Sequence, residues 1–287
     1  MRTSLARFVL PVCVALAAVG GLDCGGSAAS EQVSSASAAA TRAPVAQNAH
    51  GPVKLVGDAL GEVPLNAAQR AEIEQLAADA EGRHAAARTA RRDMMMTLAA
   101  HVEAGSIDRD ALKPQLDALV AAANASQPAD RAALERLHAI LAPDQRTAFV
   151  DALEARVYQR MGDFRAKHPW RNWADELGLS EQQRTQIKAA IQAHFQAAKA
   201  DAHEHGSPWE ARKRGAKVLN AFKQDHFVLD EVAPAREIGQ QAMQASEHFL
   251  AVAEAALPVL TPEQRAIAAQ KLRAQATQVD AADPMIP

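Results

Sequence analysis

One six-residue pattern recurs four times along the chain. A leucine followed four residues later by a Gln-Arg pair occurs as Leu65-Asn66-Ala67-Ala68-Gln69-Arg70, Leu141-Ala142-Pro143-Asp144-Gln145-Arg146, Leu179-Ser180-Glu181-Gln182-Gln183-Arg184 and Leu260-Thr261-Pro262-Glu263-Gln264-Arg265. The first two leucines are 76 residues apart and the last two are 81 apart. Two pairs at nearly equal spacing are the signature of an internal duplication.

The pattern has a mechanical meaning. Asn66, Ser180 and Thr261 are good N-cap residues, and each is followed three positions later by Gln. That is a capping box, in which cap side chain and Gln side chain satisfy each other's end-of-helix amides. Pro143 and Pro262 stand at the first helical position, where the missing N–H is not needed. Ala142 lacks a cap oxygen, so the second copy is the weakest, by about 1 kcal/mol. Four helix starts in two matched sets therefore organise the chain.

Composition agrees with helices. Of 287 residues 68 are Ala, and aromatic residues make up only 4%. Ala, Leu, Gln, Glu and Arg favour helix, while the β-branched and aromatic residues that build sheets are thin on the ground. The expected fold class is all-α, with long antiparallel helices, and sheet-based enzyme architectures are excluded. A core rich in Ala buries little area per residue, so long, closely packed helices are needed. The net charge of −3 offers no clustered basic excess for nucleic acid.

The N-terminus reads as an export signal. Arg2 and Arg7 precede an apolar run from Phe8 to Leu22, so residues 1–23 are expected to be a signal peptide. Cys24, followed by Gly25-Gly26-Ser27, is then the only cysteine of the mature chain, and no intramolecular disulfide can form. Two readings stay open: lipidation of Cys24, or ordinary cleavage within the Ala-rich residues 28–40. Residues 24–63, rich in Ser, Ala, Gly and Pro, are expected to be a flexible tether. No later segment is long and apolar enough to span a membrane, so a membrane contact is expected only through an anchor at Cys24.

From Leu65 the apolar spacing is helical. Ile73, Leu76, Ala80, His84, Ala87, Met94, Leu98 and Val102 hold one face until Gly105-Ser106. Asp108 opens a second helix, expected to be interrupted at Ser126-Gln127-Pro128, and Pro143 opens another through Phe149, Leu153, Val157, Met161 and Phe164. Lys167-His168-Pro169-Trp170 breaks the pattern. The expected organisation is a helical domain over 64–166, a linker over 167–178, a second helical domain over 179–279 and a tail over 280–287.

The motif Leu260-Thr261-Pro262-Glu263-Gln264 resembles the Leu-Thr-x-x-Gln motif of the Spy/CpxP family of small periplasmic helical proteins. Members carry two such motifs, and this chain shows that pair twice, so it resembles two tandem Spy-like domains. The resemblance implies a cradle-shaped antiparallel arrangement with ATP-independent chaperone or envelope-stress functions, and metal-responsive sensing in some relatives. The two halves of this chain are then expected to form one cradle as an intramolecular pseudo-dimer.

No catalytic constellation is present: there is no phosphate loop, nucleophile elbow or His-Glu-x-x-His helix. The chain is therefore not expected to be an enzyme. Arg91, Arg92, Met94, Met95 and Met96 form one candidate client-binding group, because thioethers adapt to many apolar partners. The plainer reading places Met94 and Met95 in the core. His194, His203 and His205 are the candidate ligands for Zn, Ni or Cu. On one straight helix, His194 and His205 stand about 16 Å apart and cannot share an ion, while His203 and His205 converge only if the helix ends at Gly206-Ser207-Pro208. No cofactor is otherwise expected. The expected partners are unfolded or aggregation-prone envelope proteins. Alternatives are a metal-responsive envelope protein and a structural lipoprotein adaptor.

Overall fold

Asn66 opens the longest helix as its spacing predicts. Its side-chain oxygen accepts from the Gln69 amide, while the Gln69 side chain accepts from the Asn66 amide, closing the capping box. A computed structural model describes residues 40–167, 169–205, 208–234 and 238–278. The signal peptide, Cys24 and the tail 280–287 lie outside the described residues.

The helices are α1 Gly51–Leu60, α2 Ala67–Ala104, α3 Arg109–Ile140, α4 Pro143–Lys167, α5 Pro169–Glu176, α6 Glu181–His205, α7 Pro208–Phe222, the one-turn α8 Leu229–Val232, α9 Ile238–Ala256 and α10 Pro262–Gln278. A 3-10 turn, Leu257–Val259, joins the last two. Among the described residues the only extended pairing is a backbone bridge between Thr41 and Leu65. The fold class is all-α.

α2 turns back into α3 through Gly105, whose φ of +85° caps the helix in the left-handed region that glycine adopts without strain. A side chain there would also collide with Arg265, whose Nη1 lies 2.6 Å from the position a Cβ would take. α9 packs on α3, and α10 packs along α2.

Two apolar cores result, and each draws on both halves of the sequence. The first joins Leu55 and Leu60 of α1, Ile73 of α2, Leu134 and Leu137 of α3, and Phe149 and Leu153 of α4 to Val218, Phe222, Phe227 and Leu229. The second joins Met94, Leu98 and Val102 of α2 and Leu112 and Leu116 of α3 to Leu177, Leu250, Leu257, Ala269 and Leu272. Burial of these side chains, at about 25 cal/mol per Å² of apolar area, holds the bundle together. The expected division at 167–178 is therefore a division of sequence, not of packing.

Three expectations are corrected. Residues 40–63 are not a tether. Val45, Ala46, Leu55, Ala59, Leu60 and Val63 are buried, and Arg70 donates to the Thr41 and Ala43 carbonyls at 3.0 Å each. Glu74 and Glu81 accept from the Ala46 and His50 amides. The Gly and Ala that imitate a linker permit close approach here: a Cβ on Gly57 would stand 2.7 Å from that of Ala46.

Ser126-Gln127-Pro128 does not interrupt α3, which runs through Pro114 and Pro128. An interior proline costs about 3 kcal/mol through a lost hydrogen bond and a clash. The apolar stripe from Leu112 to Leu137 is buried on both sides of it and outweighs that cost. Finally, the linker 167–178 contains α5, and its Trp173 and Leu177 pack into the second core.

Candidate functional site

The four motif glutamines meet in two pairs. Gln69 donates to the side-chain oxygen of Gln145 at 2.7 Å, and Gln145 donates back at 3.1 Å. The same amides donate to backbone carbonyls, Gln69 to Ile140 at 2.9 Å and Gln145 to Pro64 at 2.6 Å. At the other end Gln183 and Gln264 exchange bonds of 2.8 and 3.2 Å, and donate to Val259 and Gly178. In every case the carbonyl belongs to the residue preceding the opposite motif's leucine. Each Gln thus closes its own helix start and clasps the start opposite, which requires a side chain with both donor and acceptor. Ala142 keeps only half of the box: its amide donates to Gln145 at 2.9 Å, with no cap oxygen in return.

The motif arginines extend these clasps. Arg146 donates to the Leu141 carbonyl at 2.9 Å and then crosses to the other half, reaching the Gln224 carbonyl at 3.0 Å and Asp225 at 3.1 Å. Arg184 donates to the Leu179 carbonyl and to Asp175. Arg70 holds the N-terminal strap, and Arg265 lies against the Gly105 turn. Leu65, Leu141 and Leu260 are buried, and Leu179 packs against the second core. Asn66, Ser180 and Thr261 all act as caps.

The candidate client-binding group does not form one surface. Met94 is 2% exposed and Met95 is equally enclosed in the second core, whereas Met96 is 43% exposed. Helical spacing explains the split, because three consecutive positions cannot share one face. Arg92 lies near Asp93 at 3.6 Å. Arg91 has its Nε buried, and burial lowers its pKa to about 10. Among the described residues the other exposed large apolar side chains are Tyr158, at 72%, and Ile267. A small recess of about 40 Å³ lies between α1, α4 and α7, lined by apolar residues including Val56, Val157 and Leu219.

His194 lies beside His248 of α9, ring centroids 5.8 Å apart and nearly perpendicular. Burial and the neighbouring His194 lower the pKa of His248. His203 and His205 close α6, but their side chains lie outside the described residues. Among the described residues no group of three His, Cys, Asp or Glu side chains could hold a metal ion.

Several polar anchors escaped the sequence reading. Arg109 bridges Glu247 and Glu254, tying α3 to α9, and these contacts raise its pKa and lower that of Glu254. Arg131, 1% exposed, donates to the Ala233 carbonyl at 2.9 Å and pairs with Asp230. Arg83 and His84 converge on Asp130. Burial pushes that carboxyl up, but His84 and Arg83 overcome it and hold the pKa below the ordinary value. The two-turn spacing of Glu247 and Glu254 on one face was the only available hint.

No described helix is long and apolar enough to cross a membrane. Residues 165–272 match the family described as LTXXQ motif family protein. The match takes in the third and fourth motifs, those with a hydroxyl cap at both starts, and leaves the first pair outside it. No curated protein matches the chain, and no solved structure does.

Proposed function

We propose that this chain is an extracytoplasmic, ATP-independent binding protein for unfolded or aggregation-prone envelope proteins, built from two Spy-like halves. The observation that carries the reading is the family match over 165–272 together with the same reciprocal glutamine clasp at 69–145 and 183–264. The clasps tie helix starts together in two matched places. Weak, adaptable contacts on the helix surfaces would hold exposed apolar segments without demanding one fixed partner shape.

Among the described residues, exposed Tyr158, Met96 and Ile267, rather than the buried Met94 and Met95, offer apolar contacts to a client. Binding rather than catalysis is the proposed activity, and export by residues 1–23 is part of the same reading. The test is light scattering of an unfolded client with the purified chain and no nucleotide. Suppression of aggregation at several-fold molar excess is expected, and it weakens in Y158S. Undiminished aggregation at that excess rejects the reading.

A further inference from the structure

The recess between α1, α4 and α7 has a buried floor and a half-buried rim. Leu55, Leu153 and Val218 belong to the floor, while Val56, Val157 and Leu219 stand at the rim, so the recess opens to the surface. No polar side chain lines it. A hollow of this kind offers water no hydrogen-bond partner, so an apolar group fills it with less loss than water does. Its volume is about 40 Å³. At about 10–15 Å³ for each water-sized group, that is room for about three or four carbons, the branched end of one aliphatic side chain.

One end of the recess is cationic. Arg146 pairs with Asp225 at 3.1 Å, and three residues further along each chain Phe149 meets Phe222, ring centroids 5.4 Å apart. α4 and α7 are therefore antiparallel, and the same register sets Leu153 level with Val218 and Val157 beside Gly215, all of which line the recess. Just past this point stand two half-buried arginines. Arg160 follows Val157 by three residues on the same stripe of α4, and Arg214 adjoins Gly215. Asp58 of α1 acts on Arg160, but Lys54 already holds that carboxylate at 2.8 Å. Neighbouring Arg156 is taken up by Glu62. Among the described residues no ion pair reaches Arg214, nor Lys213 and Lys217 on the same helix.

We propose that this recess seats one aliphatic side chain of an unfolded client, while a carboxylate on the adjoining client residue meets Arg214 and Arg160 at its end. The inference rests on the client-binding reading and gives it a place and a preference, for segments in which Leu, Ile or Val stands beside Asp or Glu. A guanidinium matches a carboxylate with two parallel hydrogen bonds, and the apolar floor accepts no charge, so the two parts of the site select different parts of the client. A long acyl chain with an acidic head carries the same chemistry, but it has many more carbons than the recess can enclose.

The probe is the peptide Gly-Ser-Leu-Asp-Glu-Ser-Gly, titrated into the full chain with the methyl resonances of Val56, Val157 and Leu219 as the readout. These methyls are expected to shift to saturation, and to stay in place with the peptide that has Ser instead of Leu. R214Q is expected to weaken binding by about two- to five-fold, the range of one partly exposed ion pair, and the difference shrinks at high salt. V157F fills the recess and is expected to abolish binding; if it does not fold, the two peptides still decide. Unmoved rim methyls, equal binding of both peptides, or parental binding by R214Q overturns the proposal. Octanoate shifting the same methyls at lower concentration than the peptide also overturns it, in favour of an acyl-chain site. A failed titration beside intact suppression of client aggregation removes this site and leaves the client-binding reading standing. A parent chain that suppresses no aggregation rejects that reading, and with it the client as occupant, whatever the peptide does.

Discussion

Gln69 and Gln145, 76 residues apart in the chain, each donate a hydrogen bond to the other's side-chain oxygen, at 2.7 and 3.1 Å. Each oxygen also accepts the backbone amide of its own helix start, Asn66 at 3.0 Å and Ala142 at 2.9 Å. One side chain therefore serves local capping and tertiary closure at once, and the two roles cannot be separated by mutation.

Truncating the buried member should show this. Gln145→Ala leaves Gln69, the Pro64 carbonyl and the Ala142 amide short of partners, at an expected cost of about 2 kcal/mol. Gln264→Ala, at the more open clasp, should cost about 1 kcal/mol. Urea unfolding of both variants measures the difference. A Gln69/Gln145 cycle with no coupling would remove the clasp as an energetic unit.

The second motif can be improved. Ala142→Ser restores the oxygen that Ser180 and Thr261 provide at their own helix starts. A gain of about 0.5–1 kcal/mol is expected. An unchanged denaturation midpoint would mean that the half box made by Gln145 already satisfies this end.

Gly105 should tolerate no side chain. Gly105→Ala imposes a left-handed conformation on a residue with a Cβ and forces Arg265 to move. The expected loss is about 1–2 kcal/mol from the backbone term, with more from the displaced arginine. Adding Arg265→Ala should recover only the steric part, which calorimetry of the single and double variants resolves.

His138 should give the protein an acid-sensitive stability. Its ring stacks on Phe227 with centroids 5.0 Å apart, and Nε2–H donates to the Gln224 carbonyl at 2.8 Å. Burial lowers its pKa below the ordinary 6.5. The folded state then binds fewer protons than the unfolded state, so stability is full above pH 6.5 and falls as pH drops from there toward the folded pKa. His248, lowered by burial, acts in the same direction. Denaturation midpoints across that window should slope less in His138→Phe, and an unaltered slope would exonerate this histidine.

The positions of the four motifs, the capping role of Asn66, Ser180 and Thr261, the stop at Gly105 and the stripe from Ile73 to Val102 were legible in the sequence. They rest on contacts within one or two helical turns, which residue order specifies directly. The same locality explains the failures. Residues 40–63 looked like a tether because Gly and Ala have no pattern of their own, and only the nearby α2 shows what their small size is for. Pro128 looked like a break because its cost is local, whereas the burial that outweighs it comes from other helices. For Met94, Met95 and Met96 residue order left two readings, one client-binding group or a core pair with Met96 beside it, and packing puts Met94 and Met95 inside and Met96 outside.

By itself, then, the sequence determined an all-helical chain with four specified helix starts in two matched pairs. Tertiary structure decided that those starts clasp each other in pairs, that both cores are shared between the halves, and that the Nε of Arg91 is enclosed with no hydrogen-bond partner among the described residues. The reason is physical. Capping and periodicity are short-range and survive in the linear order, while the pairing of Gln69 with Gln145 or Arg146 with Gln224 depends on which helices meet. Many small, non-directional apolar contacts settle that choice together, and no single residue announces it.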